Sequence, residues 1–270
     1  MTLPPPITSR TNAKVKALRA AFEGRASKPG EIVAVEGATL IGEAARSGIR
    51  LETVFVRQGS EAVLEELGLG GAPVVVLSRD VFSSAMDTGS PQGVAGMIAI
   101  PRIEKRLDGY GRGMTLVLEA IQDPGNVGTM LRAAEAFGVD EVMVAGETAN
   151  AWSPKAVRAS AGSVFRVPVK RMSLEGIAAW AREHDVRVYA AVAEVKGARA
   201  CMDADLASRS AVMIGNEGAG LSEAALRIAD ERVHIPCITE SLNAAAAAAT
   251  LMYEAMRQRI AQIVPAEVAR

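Results

Sequence analysis

The sequence predicts an α/β protein built from two units, and three observations carry that expectation. Short apolar runs of strand length alternate with helix-period segments along nearly the whole chain. A polar stretch rich in charge, Pro and Gly, PRIEKRLDGYGRG, interrupts the alternation at residues 101–113 and reads as a linker. Beyond it the strands become continuously apolar, as in a mostly parallel sheet covered on both faces. The expected division is an N-terminal unit over 1–100, the linker 101–113 and a C-terminal unit over 114–270.

In the first unit, Asn12–Phe22 reads as a helix with Val15, Leu18 and Phe22 on one face. Ile32–Val35 is a short strand, and Gly37–Ser47 an Ala-rich helix stopped by Gly48. Thr53–Val56 and Val74–Leu77 are further strands. Asp80–Met86 is a short helix, and Gly93–Ile100 closes a small α/β sandwich. The second unit opens with the strand Thr115–Glu119, followed by a helix over Val127–Phe137 and a strand over Glu141–Ala145. Strands at Val186–Val192, Ala211–Ile214 and Val233–Ile235 follow, and a long helix covers Leu242–Ile263. No internal repeat is present.

Of the 270 residues, 49% are apolar and 23% charged, which suits a globular chain with a substantial core, and only 4% are aromatic. So few rings argue against RNA binding through stacking platforms. The net charge of −1 excludes a uniformly basic nucleic-acid protein and leaves local clusters to be weighed. Two such clusters exist. Residues 1–28 hold Arg10, Lys14, Lys16, Arg19, Arg25 and Lys28 against Glu23 alone, and residues 154–172 hold Lys155, Arg158, Arg166, Lys170 and Arg171 with no acid. Either suits phosphate contact, although a solvated basic face is the plainer alternative. Cys201 and Cys237 show no metal-ligand spacing, and His184 and His234 have no nucleophile nearby in sequence, so no metal is expected. The N-terminus lacks a signal-peptide pattern and no run has transmembrane length, which predicts a cytoplasmic protein without a membrane partner.

Three stretches can carry chemistry. In IQDPGNVGTMLRAAEAFGVDEVMV (121–144), a buried strand leads through a tight Asp123-Pro124-Gly125-Asn126 turn into a helix bearing Arg132. Ligands in open α/β sheets lie beyond the carboxyl ends of strands, so this turn is well placed. An ordinary capped helix with a surface Arg is the competing reading. In VMIGNEGAGLS (212–222), glycines stand at 215, 218 and 220 around Glu217. Their spacing is neither the dinucleotide fingerprint nor a P-loop, so nucleotide-cofactor chemistry is disfavoured. Ser222 is positioned to cap a following short helix. In HIPCITESLNAAAAAATLMYEAMRQR (234–259), Ser241 is the expected N-cap of the long helix and Asn243 offers an amide from its first turn.

In this order the stretches resemble the signature motifs of the SpoU (TrmH-like) RNA 2′-O-methyltransferases of the SPOUT class. The matching residues are Asn126-x-Gly128-x-x-x-Arg132, then Ile214-Gly215-Asn216-Glu217-Gly218-x-Gly220-Leu221-Ser222, then Ile235-Pro236 with Ser241-Leu242-Asn243. SPKAVRASAGSVFRVPV (153–169) is similar to the family's intervening segment. ITSRTNAKVKALR and VEGATLIGEAARSG resemble its attached L30e-like substrate-binding domain.

The resemblance implies a trefoil-knotted C-terminal α/β domain, a homodimer, and S-adenosylmethionine held by Gly215, Asn216, Gly218, Ile235 and Leu242. It implies a catalytic Arg132 supported by Asn126, Glu217, Ser241 and Asn243, with Glu217 orienting Arg132 or Asn126 across the dimer. RNA contacts would come from Arg10, Lys14, Lys16, Arg19, Lys155 and Arg158. One departure stands out: alanines follow Asn243 directly, where the family often carries a hydroxyl. The implied activity is methylation of a ribose 2′-hydroxyl in structured RNA, with 23S rRNA favoured. A tRNA substrate and a non-catalytic RNA- or ribosome-binding protein on the same fold are the alternatives.

Overall fold

The computed structural model describes residues 3–69, 71–104 and 113–263. Most of the expected linker, 105–112, lies outside the described residues. In chain order the elements are α1 (Ala13–Phe22), β1 (Ile32–Glu36), α2 (Ala38–Arg46), β2 (Leu51–Arg57), α3 (Val63–Leu67), β3 (Val74–Leu77), α4 (Arg79–Ala85) and β4 (Val94–Ala99). There follow β5 (Met114–Glu119), α5 (Pro124–Ala136), β6 (Glu141–Ala145), α6 (Pro154–Ala159), β7 (Val169–Arg171), α7 (Leu174–Glu183) and β8 (Arg187–Ala191). The last are β9 (Arg199–Ala200), β10 (Ser210–Ile214), α8 (Glu223–Ile228), β11 (Glu231–His234) and α9 (Ala244–Ile263).

The chain forms two compact units, and the division is not a single cut. Residues 1–102 are joined in the first unit by 150–166, and the second unit comprises 103–149 and 167–270. The first unit carries a four-stranded sheet in the order β1-β4-β2-β3, with β2 and β3 parallel and the other pairs antiparallel. Asn12 caps α1 by accepting from Lys14 N at 2.9 Å, which fixes the helix start one residue after the expected one. Val15, Leu18 and Phe22 then enter a core with Phe55, Leu77, Val81 and Phe82, as their 3.6-residue spacing requires.

Segment 150–166 joins this unit through specific bonds. Asn150 Nδ2 donates to the carbonyls of Gly24 and Ala26 at 2.8 and 2.7 Å. Arg166 Nη1 reaches Glu43 and Ser47 at 2.8 and 2.9 Å, and the Trp152 and Phe165 rings pack 6.0 Å apart. At Gly162, with φ +91°, a Cβ would lie 2.8 Å from Glu43 Cβ, so only glycine permits the approach.

The second unit is a seven-stranded sheet in the order β7-β6-β5-β10-β8-β11-β9, parallel at every pairing. Every residue of β5, β6 and β10 is buried, which explains why those strands read as unbroken apolar runs. Helix α9 packs on α5 and is anchored at its far end. Arg259, 5% exposed, donates to the carbonyls of Ala207 and Ser208 and to Ser210 Oγ, while Gln258 bonds Leu206 N and Ala204 O. Burial pulls the Arg259 guanidinium below its ordinary pKa. Among the described residues no helix is long and apolar enough to cross a membrane.

Candidate active site

The carboxyl ends of β5 and β10 shape the site. After Glu119 the chain turns at Ala120, whose φ of +55° is unusual for a residue with a side chain. Asp123 Oδ1 then accepts from Gly125 N at 3.0 Å and Pro124 occupies the first helical position, so α5 starts three residues before the expected Val127. The segment expected as a tight turn thus contributes the first helical turn, which carries Asn126.

At the end of β10 the chain folds back on itself. Asn216 and Gly220 exchange two backbone hydrogen bonds of 3.0 and 2.9 Å, and the Asn216 side-chain oxygen accepts from the amides of Gly218 and Ala219. Its Nδ2 donates to Ala120 O at 3.0 Å, tying this loop to the strained turn after β5. A Cβ on Gly215 would lie 2.3 Å from Gly220 C and Leu221 N, so the returning arm demands glycine there. Gly218 is different, because a Cβ would meet only Asn216 Oδ1 at 3.6 Å. Ser222 caps α8 as expected, accepting from Ala225 N at 3.1 Å.

The third segment corrects one expectation. Helix α9 begins at Ala244, and its cap is Asn243, whose Oδ1 accepts from Ala245 N at 2.9 Å and Ala246 N at 3.3 Å. Ser241 is not the N-cap: it lies two residues too early for its hydroxyl to meet the free amides of the first turn. It remains exposed on the pocket wall beside Leu242.

Three of the five expected catalytic side chains meet. Asn126 Nδ2 donates to Glu217 Oε1 at 2.7 Å, and Asn243 Nδ2 donates to Asn126 Oδ1 at 3.4 Å. These bonds join all three stretches within one chain, with Glu217 holding the Asn126 amide. Arg132 is exposed on α5 and makes no hydrogen bond or ion pair with the described residues.

A cavity of about 800 Å³ lies against this network, within the range of roughly 300–1,000 Å³ usual for small-molecule sites. Gly215, Asn216, Gly218, Ile235 and Leu242, the five expected donor-contacting positions, all line it, and so do Glu217 and Ser241. Its other walls include Leu226, Cys237, Ala247 and Leu251. Among the described residues, the charged groups in the lining are Glu194, Glu217 and Glu240. Such a chamber accepts a flat apolar ring together with positive charge and rejects phosphate. Between Cys237 and Leu242 no amide enters a backbone hydrogen bond with the described residues, which leaves polar edges to be met by ligand or water. S-adenosylmethionine fits this set: an adenine ring for the apolar walls and amides, and a sulfonium and ammonium for the glutamates.

The basic residues separate on inspection. Arg10, Lys14 and Lys16 are exposed on the first unit, whereas Arg19 spends its guanidinium on Ser84 O and Oγ. Lys155 is exposed, and Arg158 pairs with Asp87 at 2.7 Å. Lys170 pairs with Glu141, and Arg171 clamps the carbonyls of Gly146 and Thr148. Much of the second sequence cluster therefore holds the fold together.

Sequence reasoning missed Glu119. This carboxylate, 5% exposed at the end of β5, accepts from Ser222 N at 2.9 Å and Ser222 Oγ at 2.5 Å. It pins the far end of the 215–222 loop. The only available signal was an acid closing an otherwise apolar strand.

A methyl-donor chamber formed by loops at the carboxyl edge of an all-parallel sheet, with an amide-carboxylate network beside it, defines the α/β-knot methyltransferase class. Residues 113–253 match the SpoU rRNA Methylase family and residues 12–96 match the MRM3-like substrate binding domain. The chain belongs to the SpoU rRNA methylase family. It is 32% identical over 249 residues to the 23S rRNA (guanosine(2553)-2′-O)-methyltransferase RlmP of Bacillus subtilis, covering 92% of this chain and 97% of that protein. The crystal structure of the SpoU methyltransferase AviRb from Streptomyces viridochromogenes in complex with AdoMet superposes with a TM-score of 0.76 at 27% identity, covering 92% of this chain and 99% of that one. The AdoMet-bound rRNA methyltransferase from Sinorhizobium meliloti gives 0.76 at 29% identity, covering 94% and 98%. The second unit accordingly has the α/β-knot fold, as the resemblance implied.

Proposed function

We propose that this protein methylates a ribose 2′-hydroxyl of 23S rRNA, taking the methyl group from S-adenosylmethionine. The observation that carries the reading is the acid-lined, apolar-walled chamber joined to the Asn126–Glu217–Asn243 network. When bound, S-adenosylmethionine would supply an electrophilic methyl carried on a sulfonium. The chain's own residues do the remaining work. Of the residues lining the chamber, Ile235 and Leu242 would enclose the adenine, the Gly215–Leu221 hairpin would give the floor, and Glu194 and Glu240 would meet the donor's positive groups.

Asn126 and Asn243 present amides that hold the target ribose, and Glu217 fixes the rotamer of Asn126. Such positioning supplies much of the acceleration for an in-line transfer. Arg132, without a partner among the described residues, pairs with the phosphate beside the target ribose and stabilises charge on the 2′-oxygen, whose proton passes to water as the methyl is transferred. Ser241 offers a further hydroxyl at the rim. Exposed Arg10, Lys14, Lys16 and Lys155 on the first unit track the RNA backbone, with Arg19 and Arg158 as secondary contacts.

The active form is a homodimer, for which the half-exposed Tyr253 of α9 offers an apolar contact to a second copy. The proposed location is the cytoplasm, where such an rRNA-modifying enzyme would meet its substrate. The reading is tested by incubating the purified protein with tritiated S-adenosylmethionine and total RNA, then mapping ribose methylation in the labelled species. Incorporation into 23S rRNA at one nucleotide is expected. Label confined to tRNA, or none, would overturn it.

A further inference from the structure

Four arginines that lie far apart in sequence converge at the other end of the parallel sheet. A cleft of about 860 Å³ opens at the amino ends of β8 and β10, lined by Arg182, Arg187, Arg209 and Arg227 together with Asp185, Asp205 and Asp230. Counting charges would make this a nearly balanced surface, but the acids and the bases are engaged to different degrees. Asp230 Oδ2 accepts from Val188 N at 2.8 Å. Asp205 accepts from Ser208 Oγ at 2.7 Å and from the amides of Ser208 and Ala207 at 3.1 and 3.2 Å. These bonds, the Ser208 hydroxyl first among them, hold the Asp205 carboxyl below its usual range. Both carboxylates are thus committed to the chain's own donors, and only Asp185 is left over.

The guanidiniums are far less committed. Arg209 Nη1 makes one long bond of 3.2 Å to His184 O, and Arg187 lies over the Tyr189 ring, 5.9 Å from its centroid, within electrostatic reach of Asp205. Arg182 and Arg227 are exposed and make no hydrogen bond or ion pair with the described residues. Arg182 and Arg227 sit in the last turns of α7 and α8, where a cation suits the helix dipole. That preference explains their sign but uses none of their forked donors.

We infer that this cleft binds backbone phosphates of the RNA substrate at a distance from the methylated ribose. The inference rests on the function proposed above. The five-residue strand β10 separates the two ends of the sheet by about 17 Å. An RNA that reaches both must therefore extend well past the target nucleotide. The cleft selects a large folded RNA over a short hairpin, and it does so without reading bases.

The test uses the full-length protein with Arg182→Ala/Arg227→Ala, and with Arg182→Lys/Arg227→Lys as the charge-preserving control. Two probes are compared: a minimal hairpin around the methylated nucleotide, and a longer 23S rRNA fragment containing it. For the longer RNA the alanine variant is expected to weaken binding at least tenfold and to lower the slope of log K against log salt by about 2. The hairpin affinity, the donor affinity and kcat at saturating RNA stay unchanged, and the lysine variant keeps most of the wild-type slope. Arg182→Glu and Arg227→Glu, made singly, give the same ordering should the double variant fold poorly. An unchanged slope with the longer RNA, or equal losses with both RNAs, would overturn the inference. So would inorganic phosphate occupying the wild-type cleft at submillimolar concentration while the slope for RNA is the same in variant and wild type. Methyl transfer by the wild type is measured in parallel. No transfer by the wild type removes the proposed function, whereas transfer with an insensitive slope removes only the cleft.

Discussion

The two ends of the parallel sheet differ in their charged groups: the described lining at the carboxyl end carries glutamates, whereas four arginines outnumber three aspartates at the amino end. At the carboxyl end the described cavity lining holds three glutamates and no base. At the amino end the lining holds four arginines whose neighbouring acids are mostly bound to backbone amides. The same sheet therefore offers a cation-accepting chamber at one edge and an anion-accepting surface at the other. A methyltransferase acting on RNA can use both: the glutamates meet the donor's positive groups, and the arginines at the far end offer contacts to phosphates beyond the target nucleotide. Separation by the length of a strand keeps each field local, since exposed charges are largely screened beyond about 8–10 Å in physiological salt.

Mutations at the carboxyl end should separate transfer from donor binding. Arg132→Ala is expected to show the largest effect, a fall in kcat of about 10²–10³, in line with loss of a charge-stabilising donor. Calorimetric donor affinity should be preserved, and near-normal turnover would remove the proposed role. Gly215→Ala comes next. Its Cβ would fall 2.3 Å from the Gly220 and Leu221 backbone, so the hairpin must open. Overpacking of this kind costs about 1–3 kcal/mol, which predicts roughly tenfold or greater loss of donor affinity. Gly218→Ala, with open space around it, should bind donor almost normally, and equal losses at both positions would break the steric argument.

Glu119→Gln probes the support beneath the same loop. A buried carboxylate loses one of two charge-assisted bonds to Ser222, and about 1–3 kcal/mol of stability should go with it, read as the denaturant midpoint. Donor affinity should fall alongside, and the Glu119→Gln variant retaining both would show that the 215–222 loop stands without that anchor.

Asn243 distinguishes two jobs held by one side chain. Asn243→Ala removes the α9 cap and the link to Asn126, and should cost about 1 kcal/mol of stability plus turnover. Asn243→Ser keeps a capping oxygen, so stability should recover while turnover stays low. Recovery of both would reduce Asn243 to a cap. Ser241→Ala is the smallest change expected, within about 0.5 kcal/mol in stability, because its hydroxyl caps nothing in α9.

Much of this site could be read from the chain because its determinants are local. Gly215 and Gly220 flank a turn, Ser222 precedes a helix, and the apolar runs of β5 and β10 have no other place than a covered sheet. Asn126, Glu217 and Asn243 were identifiable as polar groups in otherwise apolar or small-residue stretches, although only the fold shows that they touch within one chain. The cap of α9 was misplaced because Ser241 and Asn243 are both good capping residues two positions apart, and the backbone course from Pro236 decides between them. The cluster at 154–172 divides its charges between exposed positions and internal partners. Lys170 and Arg171 look like an RNA patch in sequence but spend their charge on Glu141 and on the 146–148 carbonyls. Arg182, Arg187, Arg209 and Arg227 show no cluster in sequence, since helix ends and strand starts separated by up to 45 positions bring them together.

The path of the chain through residues 150–166 restricts how the protein could be divided. The polypeptide leaves the second unit after Ala149, buries Trp152, Val157 and Phe165 in the first, and returns at Val167. Proteolysis within 101–113 would therefore release no freestanding catalytic half, because the excised piece would carry an apolar tongue torn from its socket. Shuffling of the two halves between relatives faces the same obstacle: the N-terminal donor must bring the Gly24–Ala26 carbonyls that Asn150 grips, so the modules travel as a matched pair.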